Sequence, residues 1–172
     1  MIPDVVIACG MQRAYFHELG GRYFGDKIDI LRIRLLDYLS SAMNPATTIF
    51  FIREVHQGAD EFFKGSKTYG QVGSPDIEIP EVFKHFPKFI INTTRYSGFY
   101  KTPLESELAK LKPKRVSLVG VETHTNVLFT AVDLRNRGYA VTIPEPLVVS
   151  EDDYMHSCGI NILSNVLSVD VE

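Results

Sequence analysis

RVSLVGVETHTNVLFTA, residues 115–131, reads as an apolar strand, a sharp Gly-Val-Glu-Thr turn and a helix that starts at once. At the carboxyl end of a parallel strand, the next helix points its free backbone N–H groups and positive dipole end into the crevice where α/β proteins bind ligands. Working outward, Pro3–Cys9 is a short apolar run ended by Gly10, and Thr47–Val55 is β-branched and aromatic, so both are expected to be buried strands. Phe89–Asn92, Tyr139–Val149 and Leu167–Val171 supply three more. Between them, Ile28, Leu31, Leu35, Leu39 and Ala42 recur at helical spacing after Asp26, the expected N-cap. Thr102-Pro103-Leu104-Glu105 reads as a capping box, and Ser150-Glu151-Asp152-Asp153 as the cap of a last helix. Gly138 is the expected stop of the helix after the central strand. Strands and helices alternating at this spacing imply an α/β fold: one domain over residues 1–172, three layers α/β/α, with a six-stranded, mostly parallel sheet.

Composition narrows the function classes. A chain of 172 residues with 45% hydrophobic content can build one core without disulfides. The net charge is -3 and the basic residues are scattered, so neither nucleic acid nor an anionic membrane is an expected partner. Cys9 and Cys158 lie far apart in apolar surroundings, without zinc-ligand spacing, and fit reduced thiols. Charged residues interrupt every apolar run before it could span a bilayer, and no signal peptide is visible at the start, so a cytoplasmic location is expected. No cofactor is expected.

Gly120-Val121-Glu122-Thr123-His124, Val127, Thr130 and Ala131, followed by Asp133, Leu134, Arg137, Gly138 and Tyr139, carry a resemblance. The chain resembles the isochorismatase-like cysteine hydrolase family, nearest the branch reading Gly-Ile-Glu-Thr-His-Val-Cys-Val. The resemblance extends over nearly the whole chain and implies the same three-layer fold. It also implies a non-proline cis peptide at Val121-Glu122, which in the family aims backbone N–H groups into the oxyanion hole. The family's catalysis uses an aspartate as base, a lysine and a nucleophilic cysteine. By resemblance, its Asp-Met-Gln matches Gly10-Met11-Gln12, its Lys-x-Arg-Tyr-Ser-x-Phe matches Thr93-Thr94-Arg95-Tyr96-Ser97-Gly98-Phe99, and its cysteine matches Asn126. A carboxamide is a poor nucleophile, and glycine offers no base to activate it. The expected function is a pseudoenzyme that binds a small carboxylate or amide, or serves as a subunit of a homo-oligomer.

The residues expected to line the pocket are Gln12, Phe16, Glu54, His56, Arg95, Tyr96, Phe99, Glu122, Thr123, His124 and Thr125. Glu54-Val55-His56 is similar to the metal-ligand pair of the nicotinamidase branch, but the second histidine of that branch is missing from Tyr69–Pro75, so no metal is expected. Glu54 is instead expected to accept hydrogen bonds from loop backbone. His124 fits a turn or subunit-contact role. Arg95, two residues beyond Thr93, is placed to keep a cation near the pocket. The alternative is an active hydrolase of a C–N or vinyl-ether bond with Cys9, Thr123 or Thr125 as substitute nucleophile, although strand alternation points Cys9 away from position 10. A purely structural oligomer component is a third possibility, suggested by aromatics expected to be exposed in Met11–Phe24 and by the glycine-rich connection Gln57–Pro80.

Overall fold

The computed structural model describes residues 3–58, 60, 62 and 68–172; the remainder of the Gln57–Pro80 connection lies outside the described residues. In chain order the elements are β1 (Val5–Cys9), α1 (Arg13–Phe16), α2 (Asp26–Ala42), β2 (Thr48–Glu54), β3 (Phe89–Thr93), α3 (Leu104–Leu111), β4 (Val116–Val121), α4 (Leu128–Asn136), β5 (Val141–Ile143), β6 (Val148–Val149), α5 (Asp153–Asn165) and β7 (Asp170–Val171). The sheet runs β3-β2-β1-β4-β5-β7, with the two-residue β6 paired to β4. Its pairings are parallel. The expected six strands form the main path, and β6 is an addition.

All five residues of β1 and all six of β4 are buried, as strands covered on both faces must be. Val6, Ala8, Phe51, Val119 and Val121 pack on α1 and α2, whereas Val5, Ile7, Cys9, Phe50 and Leu118 pack on the side of α3, α4 and α5. Ile28, Leu31, Leu35 and Leu39 of α2 are buried. Each such side chain contributes about 1.5–3 kcal/mol relative to exposure. Among the described residues no helix is long and apolar enough to cross a membrane.

Several sequence expectations are corrected. Tyr139–Val149 is not one strand: Pro144 and Pro146 lack the N–H a ladder needs, and a 3₁₀ turn at Glu145–Leu147 separates β5 from β6. Leu167–Val171 pairs only at Asp170–Val171. Asp26 is the first helical residue of α2 rather than its cap, which is Gly25 at φ +74°. Pro103 takes the cap position of α3, while the Thr102 hydroxyl accepts from the Leu104 N–H at 3.3 Å. Asp152 does cap α5, accepting from the Met155 N–H at 2.8 Å. Gly138, at φ +81°, closes α4 as expected. The segment after β1 folds into α1 and turns its aromatics inward: Tyr15 and Phe16 are buried and Tyr23 and Phe24 half-buried, so Met11–Phe24 is not an exposed aromatic loop.

Candidate functional site

The site is built where β1, β2, β3 and β4 end. Gly120 pairs with Cys9 and sits at φ +107°, where an added Cβ would lie 2.2 Å from the Cys9 carbonyl oxygen, so only glycine lets β4 approach β1 this closely. The Val121-Glu122 peptide that follows is cis. Thr123–Val127 then forms one π-type turn before α4, with the Val127 N–H donating to the Glu122 carbonyl at 3.1 Å. Glu122 is buried and ion-paired with Arg22, and its second oxygen accepts from the Glu151 N–H at 3.3 Å.

The three positions marked by the resemblance all lie at this carboxyl edge, each with different chemistry. Gly10 sits at φ +66°, and a Cβ there would come within 2.5 Å of Val121 Cγ2 and 2.7 Å of the Val121 carbonyl oxygen. Thr93 is buried, and its hydroxyl donates to the Ser97 and Arg95 carbonyls at 2.9 and 3.1 Å, which ties the 93–97 turn together. Asn126 is buried; its Oδ1 accepts from the Thr125 hydroxyl at 3.0 Å, while its Nδ2 has no hydrogen-bond partner.

Glu54, paired with Thr93 in the sheet register, is the electrostatic centre. It is fully buried, and Oε2 accepts from Tyr69 at 2.5 Å and from Tyr15 at 3.4 Å, while Oε1 has no hydrogen-bond partner. Burial raises its pKa to about 7, even though Tyr69, the Asn126 carboxamide, Arg22 and Tyr15 all favour the carboxylate. Tyr15 and Tyr69 are pushed upward, first by burial and also by the Glu54 charge, so both remain proton donors. Arg22 spans the group, its guanidinium 5.6 Å from the Tyr69 ring centroid and 6.0 Å from that of Tyr15. Gln12 fastens β1 to β2 through the Glu54 main chain, accepting from its N–H at 2.5 Å and donating to its carbonyl at 3.2 Å. The loop-backbone partners expected for the Glu54 carboxylate are thus two tyrosine hydroxyls instead.

The other expected site residues divide between this cluster and its surroundings. His56 is buried, packs edge-on against Tyr69 at 5.8 Å, and is held below the usual histidine range by burial. Tyr96 is near enough to Glu54 for that charge to add to the upward shift that burial imposes on it. Phe16 packs on Phe83 in the α2-side core, and Phe99 lies under the Arg137 guanidinium at 4.4 Å. Arg95 does not present a bare cation, because Asp60 pairs with it at 2.6 Å. His124 Nδ1 meets Ser150 Oγ at 2.8 Å, and Thr123 Oγ1 meets His156 Nδ1 at 2.9 Å. Cys9 points to the α4 side, its sulfur 3.8 Å from the Asn126 carbonyl oxygen, and burial lifts its thiol to about 12. Among the described residues no group of three or more His, Cys, Asp or Glu side chains is arranged to hold a metal ion.

Sequence reasoning missed Tyr15, Arg22, Tyr69 and His156. Each comes from a loop or a helix distant in sequence, and no local spacing ties it to Glu54 or Thr123. The one available signal was the pair of aromatics flanking the two loops that cross the carboxyl edge.

Comparison with known proteins agrees with this architecture. The isochorismatase domain model matches residues 4–170. The uncharacterised isochorismatase family protein YaaI of Bacillus subtilis (strain 168) is 31% identical over 77 residues, 45% of this chain and 42% of that protein, so the matched part spans under half of that curated relative. Among solved structures, the pyrazinamidase/nicotinamidase of Streptococcus mutans UA159 superposes with a TM-score of 0.87 at 22% identity, covering 98% of this chain and 99% of the other. The N-carbamoylsarcosine amidase of Thermoplasma acidophilum gives 0.86 at 18% identity, covering 100% and 96%. The domain match and the shared sheet topology lead to one conclusion: the chain belongs to the isochorismatase family.

Proposed function

We propose that this protein is an isochorismatase-family member without cysteine-hydrolase activity, whose altered site holds a small amide or carboxylic acid. The observation that carries the proposal is a pair of buried polar atoms at the centre, Glu54 Oε1, an acceptor, and Asn126 Nδ2, a donor, which stabilise each other electrostatically without completing a hydrogen bond of good geometry. A buried polar atom without a hydrogen bond costs about 1–3 kcal/mol. One acceptor and one donor are the complement of a primary carboxamide, whose carbonyl accepts from Asn126 and whose N–H donates to Glu54; with Glu54 protonated, a carboxylate takes both hydrogen bonds. Both structural neighbours named above carry amidase chemistry in their names. The family's cysteine attack has no agent here, because Asn126 stands at the position that the resemblance gives the cysteine and a side chain at Gly10 would meet Val121. The test pairs a thermal-shift screen of nicotinamide, benzamide and benzoate with an ammonia-release assay. The expected result is a dose-dependent rise in melting temperature that Glu54→Leu removes, with no ammonia released.

One observation favours a second reading, an active hydrolase with a substitute nucleophile. The Thr123 hydroxyl lies 2.9 Å from the His156 imidazole, the geometry of a hydroxyl beside its base. Burial holds His156 below the usual range, so its ring stays neutral and able to take a proton. Against this, Thr123 is fully buried. Ammonia release that disappears in Thr123→Val would support the second reading.

Association of copies is part of the same proposal. The α5 surface leaves Tyr154, Met155, Ile162 and Val166 exposed, more apolar side chain than an isolated helix face usually shows water. Native mass spectrometry is expected to give a dimer or larger, reduced to monomer by Tyr154→Glu with Val166→Glu.

A further inference from the structure

Beside the 93–97 turn lies a groove of about 470 Å³, whose lining includes Tyr96, Tyr100, Phe129, Phe62, Arg95 and Lys101 together with Phe99, Asp133 and Arg137. Its volume falls in the range of roughly 300–1,000 Å³ typical of small-molecule sites. The lining has an unusual composition for a surface: Phe129 is 47% exposed, Phe62 41% and Tyr100 38%. The rings are ordered against one another, with Phe62 edge-on to Tyr96 at 4.9 Å and Tyr96 tilted over Phe129 at 5.6 Å. Flat faces held this way offer stacking surface without further loss of side-chain freedom.

The charges decide what kind of ring fits. Arg95 is matched by Asp60, and Arg137 by both Asp133 and Glu105, so neither guanidinium is a free cation and the Arg137 cluster leaves one carboxylate charge in excess at the groove's edge. Arg95 instead extends the flat surface, lying 4.7 Å from the Phe62 ring centroid and 5.3 Å from that of Tyr100. Lys101 differs: its ammonium lies 5.3 Å from the Tyr100 ring centroid, and among the described residues no carboxylate pairs with it. The groove therefore offers a stack of π faces with one ammonium at its rim that no described carboxylate pairs directly. We infer that this groove is a binding site for a planar aromatic ring bearing an anionic substituent, the ring stacked between Tyr96, Phe129 and Tyr100 and the anion on Lys101. Neither Glu54 nor Asn126 lines it, and the inference does not depend on the function proposed for that centre.

The experiment titrates the intact protein with 2-naphthoate, naphthalene-2-methanol and cyclohexanecarboxylate, using calorimetry for affinity and amide NMR shifts for location. Saturable 2-naphthoate binding is expected, with the largest shifts at residues 95–101 and 129. The flat neutral alcohol and the puckered anion should each bind at least tenfold more weakly. Phe129→Ala, at an exposed position, should weaken 2-naphthoate at least tenfold, and Lys101→Gln should erase the preference for the acid over the alcohol. The inference is overturned if 2-naphthoate does not saturate, if cyclohexanecarboxylate binds equally well, or if the shifts map elsewhere. An oligomer that Phe129→Ala dissociates, without any effect on 2-naphthoate, would likewise overturn it and assign the face to a second copy of the chain.

Discussion

The ends of β1 and β4 are neighbours in the sheet, Cys9 beside Gly120, yet they differ in how much room each leaves for a side chain. At the end of β4 the backbone forms the tight Gly120, the cis peptide and the π-type turn, and the side chain at Asn126 has its own space. At the end of β1 the space itself has gone, because Val121 Cγ2 and the Val121 carbonyl stand where a side chain at position 10 would begin. On the function proposed here, a cysteine at 126 is one substitution away, whereas a base at position 10 has no room.

The largest effect that would break this contrast is at Gly10. Gly10→Asp must hold a branched side chain at φ +66° against Val121, and left-handed strain together with overpacking costs about 2–5 kcal/mol. Urea unfolding should show that loss. An unchanged midpoint would mean that Val121 moves aside and the base could be restored.

Glu54 gives the next effect, through pH. Its pKa is near 7 in the fold and 4.5 without it, so between these values the folded state binds the extra proton and stability falls as pH rises. The loss is complete above about pH 7 and amounts to about 3 kcal/mol at most. Glu54→Gln should remove most of this slope, and the difference between the two unfolding series across pH 4–8 isolates it from other titrating groups. A wild-type slope equal to that of the variant would show that Glu54 is solvated and not the centre described.

Cys9 tests the β1 end chemically. With its thiol at about 12, the thiolate fraction at pH 8 is on the order of 10⁻⁴, so native protein should take up one equivalent of iodoacetamide, at the half-buried Cys158. Rapid alkylation of Cys9 would revive it as a nucleophile. Asn126→Cys should be the mildest change, altering stability by about 1 kcal/mol, since the Thr125 hydroxyl loses its partner and the Glu54 carboxylate loses the carboxamide beside it.

What was legible in the sequence follows the same division. Strands buried on both faces declare themselves as apolar runs, so β1, β2 and β4 and the turn after β4 could be read directly, and Asp152 could be read as a cap. β5 and β6 were misread as one strand because prolines on a strand edge look like punctuation within it as easily as a break. At the site, the resemblance placed Gly10, Thr93, Asn126 and Glu54 at one sheet edge. It could not show that Tyr15 and Tyr69 would meet on one oxygen of Glu54, or that Arg95 would be matched by Asp60. Such pairings depend on where loops cross the sheet, which no local periodicity encodes. Nor could a sequence reveal that Val121 fills the space beside Gly10, because that is a matter of tenths of an ångström in the approach of two strands.

The most direct measurement is turnover by purified wild-type protein at near-stoichiometric concentration, on nicotinamide, an N-carbamoyl amino acid and an isochorismate-like vinyl ether. Loss of a nucleophile and the base that serves it removes most of the rate enhancement, so product formation should equal the uncatalysed background and should not rise in Asn126→Cys. Product formation that exceeds background, persists in Asn126→Ala and vanishes in Thr123→Val or Cys9→Ser would contradict the account and identify the hydrolase's nucleophile.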